Sequence, residues 1–152
     1  MKLDILAFGA HPDDVELGAA GTIAKEISLG RSVGIIDLTQ GELGTRGSAE
    51  IRHQEATKAK ELLGVTIREN LKFRDGFFVN NEAHQMEIIK KIRQYQPEIV
   101  LCNAIDDRHI DHGKGSKLVS DACFLSGLRR IETTLDGVAQ TAWRPKVVYH
   151  YI

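Results

Sequence analysis

The sequence predicts an α/β domain of three layers, in which helices cover both faces of a mostly parallel sheet. Short apolar runs alternate four times with longer segments of helical periodicity, and one more apolar run follows. This alternation is typical of parallel strands joined by right-handed helical crossovers. The 152 residues also suit one domain with a sizeable core, and no linker or internal repeat divides them.

Five apolar runs are predicted to be the strands. They cover residues 3–10, 33–38, 65–73, 99–103 and 146–152. The first run is apolar except for Asp4, as expected of a strand buried on both faces, whereas charges in the third indicate an edge strand. Because the chain stops inside the fifth run, we expect residues 1–152 to form a single domain that lacks its C-terminal portion.

Four helices are predicted between these strands. They cover residues 15–29, 48–63, 80–95 and 113–126, with Ser48 and either Asn80 or Asn81 as N-caps. Gly18 and Gly21 should weaken the first helix, so we expect them to allow its close approach to the sheet. Residues 127–145 show no regular pattern.

The composition argues against several classes of protein. The net charge is −1 with acids and bases dispersed, so we expect no nucleic-acid partner and no membrane partner. No segment has the length of a signal h-region or a membrane span. Cys102 and Cys123 are too few for a disulfide framework. We therefore expect a cytoplasmic protein that acts on a small molecule.

Two clusters of histidine and carboxylate follow the first and fourth strands. His11, Asp13 and Asp14 follow the first, and His109 to His112 follow the fourth. Loops after parallel strands emerge at the carboxyl edge of a sheet, so the clusters should meet. His11 and Asp14 are spaced to bind one metal ion, and either His109 or His112 can supply a third ligand. Asp13 suits a general base, and Asp111 could orient a histidine.

Each cluster also has a structural interpretation. Asp14 could be a helix N-cap, Asp13 an acid in the first turn, and His112 a surface residue at a helix start. A dinucleotide site is disfavoured because the turn lacks the G-x-G-x-x-G glycines and Pro12 has no N–H. His53 and His84 are predicted on exposed helix faces, and His150 could face the site. The glycine-rich loop 39–47 is either a lid or a plain connection.

The two clusters resemble the signatures of one enzyme family. Ala10 to Glu16 is similar to the AHPDDxE motif, and His109 to His112 to the H-x-D-H motif, of the PIG-L/LmbE-like zinc-dependent N-deacetylases. The similarity extends through residues 41–47 and 50–56. The type it most resembles is the bacillithiol-biosynthesis deacetylase, which acts on N-acetylglucosaminyl-malate.

This resemblance implies a Rossmann-like α/β fold and a role for each matching residue. The implied roles are metal ligation by His11, Asp14 and His112, general base catalysis by Asp13, oxyanion stabilisation by His109, tuning of His109 by Asp111, and substrate contact by Arg52 and Arg108. The implied cofactor is Zn²⁺, with another divalent metal such as Fe²⁺ as the alternative. The family also implies a homo-oligomer, often a hexamer.

The expected reaction is hydrolysis of the N-acetyl group of an N-acetylglucosamine conjugate, giving a free amine and acetate. Three alternatives remain open at the level of sequence. The protein could be an amidase for another sugar or thiol conjugate, an iron(II) oxygenase with the same ligand set, or a metal- or sugar-binding module without activity. Asp13 argues against the binding module, because binding alone does not need a free carboxylate beside the ligands.

Overall fold

The computed structural model describes residues 1–152 and contains one five-stranded, all-parallel sheet flanked by helices. The predicted α/β fold is therefore confirmed. The strands of the main sheet are β1 (Ile5–Gly9), β2 (Val33–Thr39), β3 (Ile67–Phe73), β4 (Ile99–Cys102) and β7 (Val147–His150). The short strands β5 (Thr134–Leu135) and β6 (Val138–Ala139) form a separate pair. The helices are α1 (Asp14–Ser28), α2 (Ala49–Leu63), α3 (Glu82–Tyr95) and α4 (Ile110–Leu125). None of them is long and apolar enough to cross a membrane.

The strand order places the two chemically loaded loops side by side. The sheet runs β3-β2-β1-β4-β7, so β1 is central and pairs with both β2 and β4. The loops after β1 and β4 therefore leave the same edge as neighbours, in agreement with the convergence that the sequence predicts. The charged strand β3 lies at one edge, as expected.

The sheet separates two apolar layers. Leu6 and Phe8 of β1 pack in the larger core, together with Ile88 and Ile92 of α3 and with the buried face of α4. Ile5 points to the opposite face, where the smaller core contains the buried face of α1. This alternation follows from the two-residue period of a strand and gives the three predicted layers.

The start of α4 differs from the sequence prediction. The helix begins at Ile110 rather than at residue 113, because His109 takes the N-cap position and its Nδ1 accepts from the backbone N–H of Asp111 at 3.2 Å. Histidine is not among the common capping residues, and the glycines Gly113 and Gly115 mask the helical pattern. As a result, Asp111 and His112 belong to the first turn of a helix and not to a loop.

Residues 127–145 contain more order than their pattern indicated. Strands β5 and β6 form a small antiparallel hairpin whose turn, Asp136 and Gly137, has φ values of 51° and 80°. An Asp-Gly pair favours such a turn, and this signal was available in the sequence. The buried guanidinium of Arg93 in α3 also donates to the backbone oxygens of Ser126, Leu128 and Ile131, which ties the segment to the larger core.

The two glycines of α1 have different surroundings. A Cβ built on Gly18 would lie 2.4 Å from Cδ2 of Tyr151, so this glycine lets a tyrosine ring from the segment after β7 pack on the helix. Gly21 is exposed, and nothing lies within 4 Å of the corresponding Cβ position. The expected close approach to the sheet is therefore wrong for Gly21, and at Gly18 the close neighbour is Tyr151, which follows β7, rather than a strand.

Candidate metal centre

The three predicted metal ligands face one another at the carboxyl edge of the sheet. His11 follows β1, Asp14 begins α1, and His112 lies in the first turn of α4. Oδ2 of Asp14 lies 3.5 Å from Nδ1 of His11, and Oδ1 of Asp14 lies 3.2 Å from Nε2 of His112. Asp14 thus stands between two imidazoles, and one of them comes from a segment about a hundred residues away.

Carboxylates hold the outer nitrogen of each of these imidazoles. Nε2 of His11 lies 3.1 Å from Oδ1 of Asp75 and 3.3 Å from Oδ2 of Asp111. Nδ1 of His112 lies 2.7 Å from Oδ2 of Asp107. A carboxylate on one ring nitrogen fixes the proton there and leaves the lone pair of the other nitrogen free, as in most histidine metal sites. The nitrogens that face Asp14 are the ones left for a divalent metal. Two other groups of three, His11 with His109 and His112 and His11 with Asp75 and Asp111, bring one possible ligand atom of each residue within 4.8 Å of one another, so the site offers more than one ligand set.

The electrostatics of the site favour a cation. Burial alone would lower the pKa of His11, but the surrounding carboxylates of Asp14, Asp75 and Asp111 raise this pKa to about 9. The same excess of negative charge attracts a divalent metal ion. Burial alone would also raise the pKa of Asp14, but hydrogen bonds from His11 and Asn103 hold this pKa below its ordinary value. Asp14 is therefore an ionised carboxylate at neutral pH.

Asp13 occupies the N-cap position of α1 without acting as a cap. Its side chain accepts no hydrogen bond from the backbone of the helix. The carboxylate is 52% exposed and lies 3.6 Å from Nη1 of Arg52. The interpretation of Asp13 as a simple helix-start acid therefore has no hydrogen bond to support it, and the carboxylate is open to a substrate or a water.

His109 packs against both other histidines, whose own rings lie 5.6 Å apart, and its environment differs from the predicted one. Its ring is 4.7 Å from the ring of His11 and stacks 4.9 Å from that of His112. Burial and the charges that His11 and His112 can carry lower the pKa of His109. This lowered pKa favours a neutral His109, so any hydrogen bond that it donates to an oxyanion comes from a neutral imidazole.

The predicted pairing of Asp111 with His109 needs correction. The carboxylate of Asp111 contacts Nε2 of His11 and forms an ion pair of 2.7 Å with Nζ of Lys114. Only its backbone N–H contacts His109. The helical start at Ile110 causes the difference, because it turns the side chain of Asp111 inward, where it is completely buried.

An open cleft of about 790 Å³ lies above these groups. Asp13 and His109 both face it, so the predicted base and the predicted oxyanion donor share one space. The predicted substrate residues Arg52 and Arg108 also line it, and Arg46 adds a third guanidinium. Three apolar side chains contribute to its walls: Leu17, Leu43 and Ile110. The walls of the cleft therefore combine three guanidinium groups with the carboxylates of Asp13, Asp14 and Asp75.

Three acidic or amide side chains of the site were not singled out from the sequence. Asp75 follows an edge strand with no histidine near it, and Asp107 lies in a charged loop without a defined spacing. Asn103 ends the run of β4, and a polar residue at that place was a usable signal. All three contact a predicted metal ligand.

The remaining histidines lie outside the cleft. His53 is exposed, as predicted. His84 is not simply solvated, because its ring stacks on Phe73 at 4.1 Å and its Nδ1 contacts the backbone oxygen of Val79. Nδ1 of His150 lies 2.9 Å from Oγ of Ser116 and 3.0 Å from the backbone oxygen of Asn103, behind the site.

Comparison with known proteins identifies the family. The sequence model of the PIG-L family, described as GlcNAc-PI de-N-acetylase, matches residues 6–123, and both histidine clusters lie in that range. The chain belongs to the PIG-L family. The match covers well over half of the chain and confirms the resemblance at the level of the family, while the bacillithiol type stays a prediction.

Individual members of the PIG-L family resemble this chain along most of its length. A mycothiol S-conjugate amidase of Streptomyces coelicolor is 29% identical in an alignment that covers 98% of this chain and 60% of the relative. A diacetylchitobiose deacetylase of Thermococcus kodakarensis is 31% identical in an alignment that covers 82% of this chain and 50% of the relative. The crystal structure of the conserved protein TT1542 from Thermus thermophilus superposes with a TM-score of 0.89 and 36% identity, covering 98% and 66%. The chain thus spans between half and two thirds of these relatives.

Proposed function

We propose that this chain forms the metal centre of an N-deacetylase that hydrolyses the acetamide of an N-acetylglucosamine conjugate. The observation that carries the proposal is the arrangement around Asp14. Two imidazoles face this carboxylate with their outer nitrogens held by other carboxylates, and the half-exposed carboxylate of Asp13, which lies 3.6 Å from Nη1 of Arg52, lines the same cleft. A ligand set next to a carboxylate outside that set suits hydrolysis better than binding alone.

His11, Asp14 and His112 would hold the metal, which we propose to be Zn²⁺, with Fe²⁺ as the alternative. Three protein ligands of this type are usual for catalytic zinc, where a further position stays open. When bound, the ion supplies Lewis acidity that lowers the pKa of water and polarises an amide carbonyl.

The other roles belong to residues of the cleft. Asp13 takes the proton of the attacking water and can return it to the leaving amine. His109 donates to the oxygen on which negative charge develops, and its cap geometry favours Nε2 for this contact because Nδ1 already accepts from Asp111. Asp111 acts on His11 rather than on His109. Arg52 and Arg108 would bind an anionic group of the substrate.

For the substrate we propose N-acetylglucosaminyl-malate, since the guanidinium groups of Arg46, Arg52 and Arg108 in the walls of the cleft suit a dicarboxylate. A second candidate has its own support. The Streptomyces relative that aligns with 98% of this chain is named a mycothiol S-conjugate amidase, so an amide of a thiol conjugate is the alternative. The name of the Thermococcus relative, a diacetylchitobiose deacetylase, keeps a neutral acetylated sugar as a third option.

A substrate panel tests this proposal. Acetate release is measured with N-acetylglucosaminyl-malate, free N-acetylglucosamine, diacetylchitobiose and a thiol-conjugate amide, each with wild-type protein and with Asp13→Ala. We expect the malate conjugate to be hydrolysed fastest by wild type and hardly at all by the variant. Faster hydrolysis of an uncharged sugar would contradict the dicarboxylate assignment, and an oxygen requirement would favour the iron(II) oxygenase.

We also propose a homo-oligomer, such as a hexamer, and a cytoplasmic location. The family resemblance supports the oligomer, and the two free, buried cysteines suit a reducing compartment. Light scattering coupled to size-exclusion chromatography measures the assembly directly, and a monomer at working concentration would contradict it.

A further inference from the structure

Asn103 is a buried amide that joins the ends of two neighbouring strands. It directly follows β4, and it is only 3% exposed. Its Oδ1 accepts a hydrogen bond from the backbone N–H of Ala10 at 2.9 Å, and its Nδ2 donates to Oδ2 of Asp14 at 2.9 Å. We propose that Asn103 is a positioning residue that fixes the orientation of the Asp14 carboxylate and commits its two oxygens to different tasks. This inference rests on the proposed metal centre.

The orientation of the amide follows from its partners. A backbone N–H can only donate, so the side-chain atom that faces Ala10 must be the oxygen. The NH₂ group then necessarily faces Asp14. A flipped amide would place two donors against each other at Ala10 and two acceptors against each other at Asp14. The hydrogen bond to Asp14 is therefore enforced by the main chain and is not a choice of rotamer.

Asp14 is constrained through one oxygen only. Oδ2 accepts from Nδ2 of Asn103 and also from the backbone N–H of His11, both at 2.9 Å. Oδ1 makes no such contact with a hydrogen-bond donor of the main chain, and it faces Nε2 of His112 at 3.2 Å. Two donors on one carboxylate oxygen use its lone pairs, so Oδ1 is the oxygen left for a cation. Asn103 thereby favours attachment of the metal through a single oxygen.

The same amide also fixes the loop that carries His11. The peptide of Ala10 donates to Asn103 on one side and accepts from the backbone N–H of Thr39 at 3.0 Å on the other. The loop after β1 is thus held between the ends of β4 and β2. The backbone oxygen of Asn103 is in turn 3.0 Å from Nδ1 of His150, which anchors the amide from β7. The side chain of Asn103 thus links Asp14 to the loop that carries His11, and backbone contacts tie that loop to β2 and Asn103 to β7.

The inference is tested with two substitutions that affect the amide differently. Asn103→Asp keeps the size and the acceptor for Ala10, but it places an oxygen against Oδ2 of Asp14. Asn103→Ala removes both contacts. The matched control is Asn70 of β3, whose amide also bridges main-chain groups, donating to the oxygen of Thr39 and accepting from the N–H of Lys72. Asn70 contacts none of the proposed metal ligands, so Asn70→Asp and Asn70→Ala leave the hydrogen bonds of Asp14 in place.

The readouts are the affinity for Zn²⁺ in competition with a fluorescent chelator and the visible absorption of the Co²⁺-loaded protein. We expect both Asn103 variants to bind Zn²⁺ about 10–100-fold more weakly, as for other groups that orient a metal ligand. Their Co²⁺ spectra should change, because Asp14 is free to turn. The Asn70 variants should match wild type in both readouts, even where their thermal midpoint falls.

Three results would overturn the inference. One is wild-type Zn²⁺ affinity in both Asn103 variants, which would leave the proposed metal centre intact. Another is an equal loss of affinity in the Asn70 variants, which would show that general stability sets the binding. The third is a wild-type protein that binds neither Zn²⁺ nor Co²⁺, which would remove the metal centre itself.

Discussion

At the scale of single residues, two adjacent carboxylates have been given opposite environments. Asp14 is buried and accepts hydrogen bonds from His11 and Asn103. The side chain of Asp13 is half exposed and makes no capping hydrogen bond. The backbone of Asp13 causes the separation, because its φ of −157° and ψ of −14° are not helical and turn its side chain away from that of Asp14. One acid can therefore bind a metal while its neighbour moves a proton.

This separation predicts different losses for two conservative substitutions. Asp13→Asn should lower kcat/KM by about 10²–10⁴-fold, because it removes the general base and leaves the ligands intact. Asp14→Asn should remove the metal together with the activity. Metal content and initial rates of acetate release are measured on the same samples. An Asp13→Asn variant that loses its metal, or that keeps a near-normal rate, would contradict the assignment.

The contact between Asp107 and His112 allows a test with a matched control in one loop. Asp107→Asn should weaken Zn²⁺ binding by about 10–100-fold, because Nδ1 of His112 loses the carboxylate that holds it at 2.7 Å. Asp106 is the exposed neighbour, and its carboxylate contacts none of the ligands, so Asp106→Asn should bind Zn²⁺ as wild type does. Equal affinities for the two variants would show that Asp107 does not orient His112.

The sequence predicted the site residues that belong to a motif, but not the residues that only the fold brings to the site. His11, Asp14 and His112 have informative spacing. Asp75 has none, because only the packing of the segment after β3 brings it to Nε2 of His11. The partner of Asp111 was also out of reach, since it depends on the residue at which α4 begins. Interactions between distant segments carry little signal in a single sequence.

At the scale of elements, α1 offers a pair of glycines with opposite predicted effects. Gly18→Ala should destabilise the protein by about 1–3 kcal/mol, because its Cβ would displace the ring of Tyr151 and its hydrogen bond to the oxygen of Phe8. Gly21→Ala should instead stabilise it by about 0.4–1 kcal/mol, since the site is open and alanine lowers the entropy of the unfolded chain. Urea unfolding measures both changes, and effects of the same sign would contradict this packing.

The contact between edge strand β3 and α3 predicts a dependence of stability on pH. Burial alone would raise the pKa of Glu69, but hydrogen bonds from Lys91 and Tyr95 lower it below the ordinary value of 4.5. The lower pKa in the folded state stabilises the protein at neutral pH. This contribution is lost as the pH falls below 4.5 and through the pKa of the folded state.

Glu69→Gln should therefore cost about 1 kcal/mol at neutral pH, and the difference from wild type should shrink in acid. Glu87 is the control on α3, because its pair with Lys90 is largely exposed and Glu87→Gln should have little effect at any pH. Urea unfolding at a series of pH values provides the comparison. A cost for Glu69→Gln that stays constant into acid would contradict the lowered pKa.

The elements themselves were largely predictable, and their ends were less so. Hydrophobic periodicity located all five strands of the main sheet and all four helices, because most of these elements bury a continuous apolar face. The predicted start of α4 was wrong because the imidazole of His109 caps the helix three residues earlier than expected. The β5–β6 hairpin was missed, although its Asp-Gly turn is visible in the sequence, because each of its strands is only two residues long and shows no period.

At the scale of the whole molecule, the strand order explains how distant residues form one centre. Because β1 pairs directly with β4, their loops bring His11 and Asp14 against His112, and the segment after β3 adds Asp75. The alternation of strands and helices in the sequence was enough to predict this convergence. The substrate was not predictable to the same degree, since this chain spans only part of its relatives and the cleft is open on one side.

The central claim is that acetate release depends on a metal held by His11, Asp14 and His112, and one titration tests it. The protein is stripped with a chelator, and the rate of acetate release from N-acetylglucosaminyl-malate is followed as Zn²⁺ is added back. We predict that the stripped protein is inactive and that the rate is restored by about one equivalent of Zn²⁺ per chain. Full activity of the stripped protein, or metal binding without acetate release from any N-acetylglucosamine conjugate, would contradict the account.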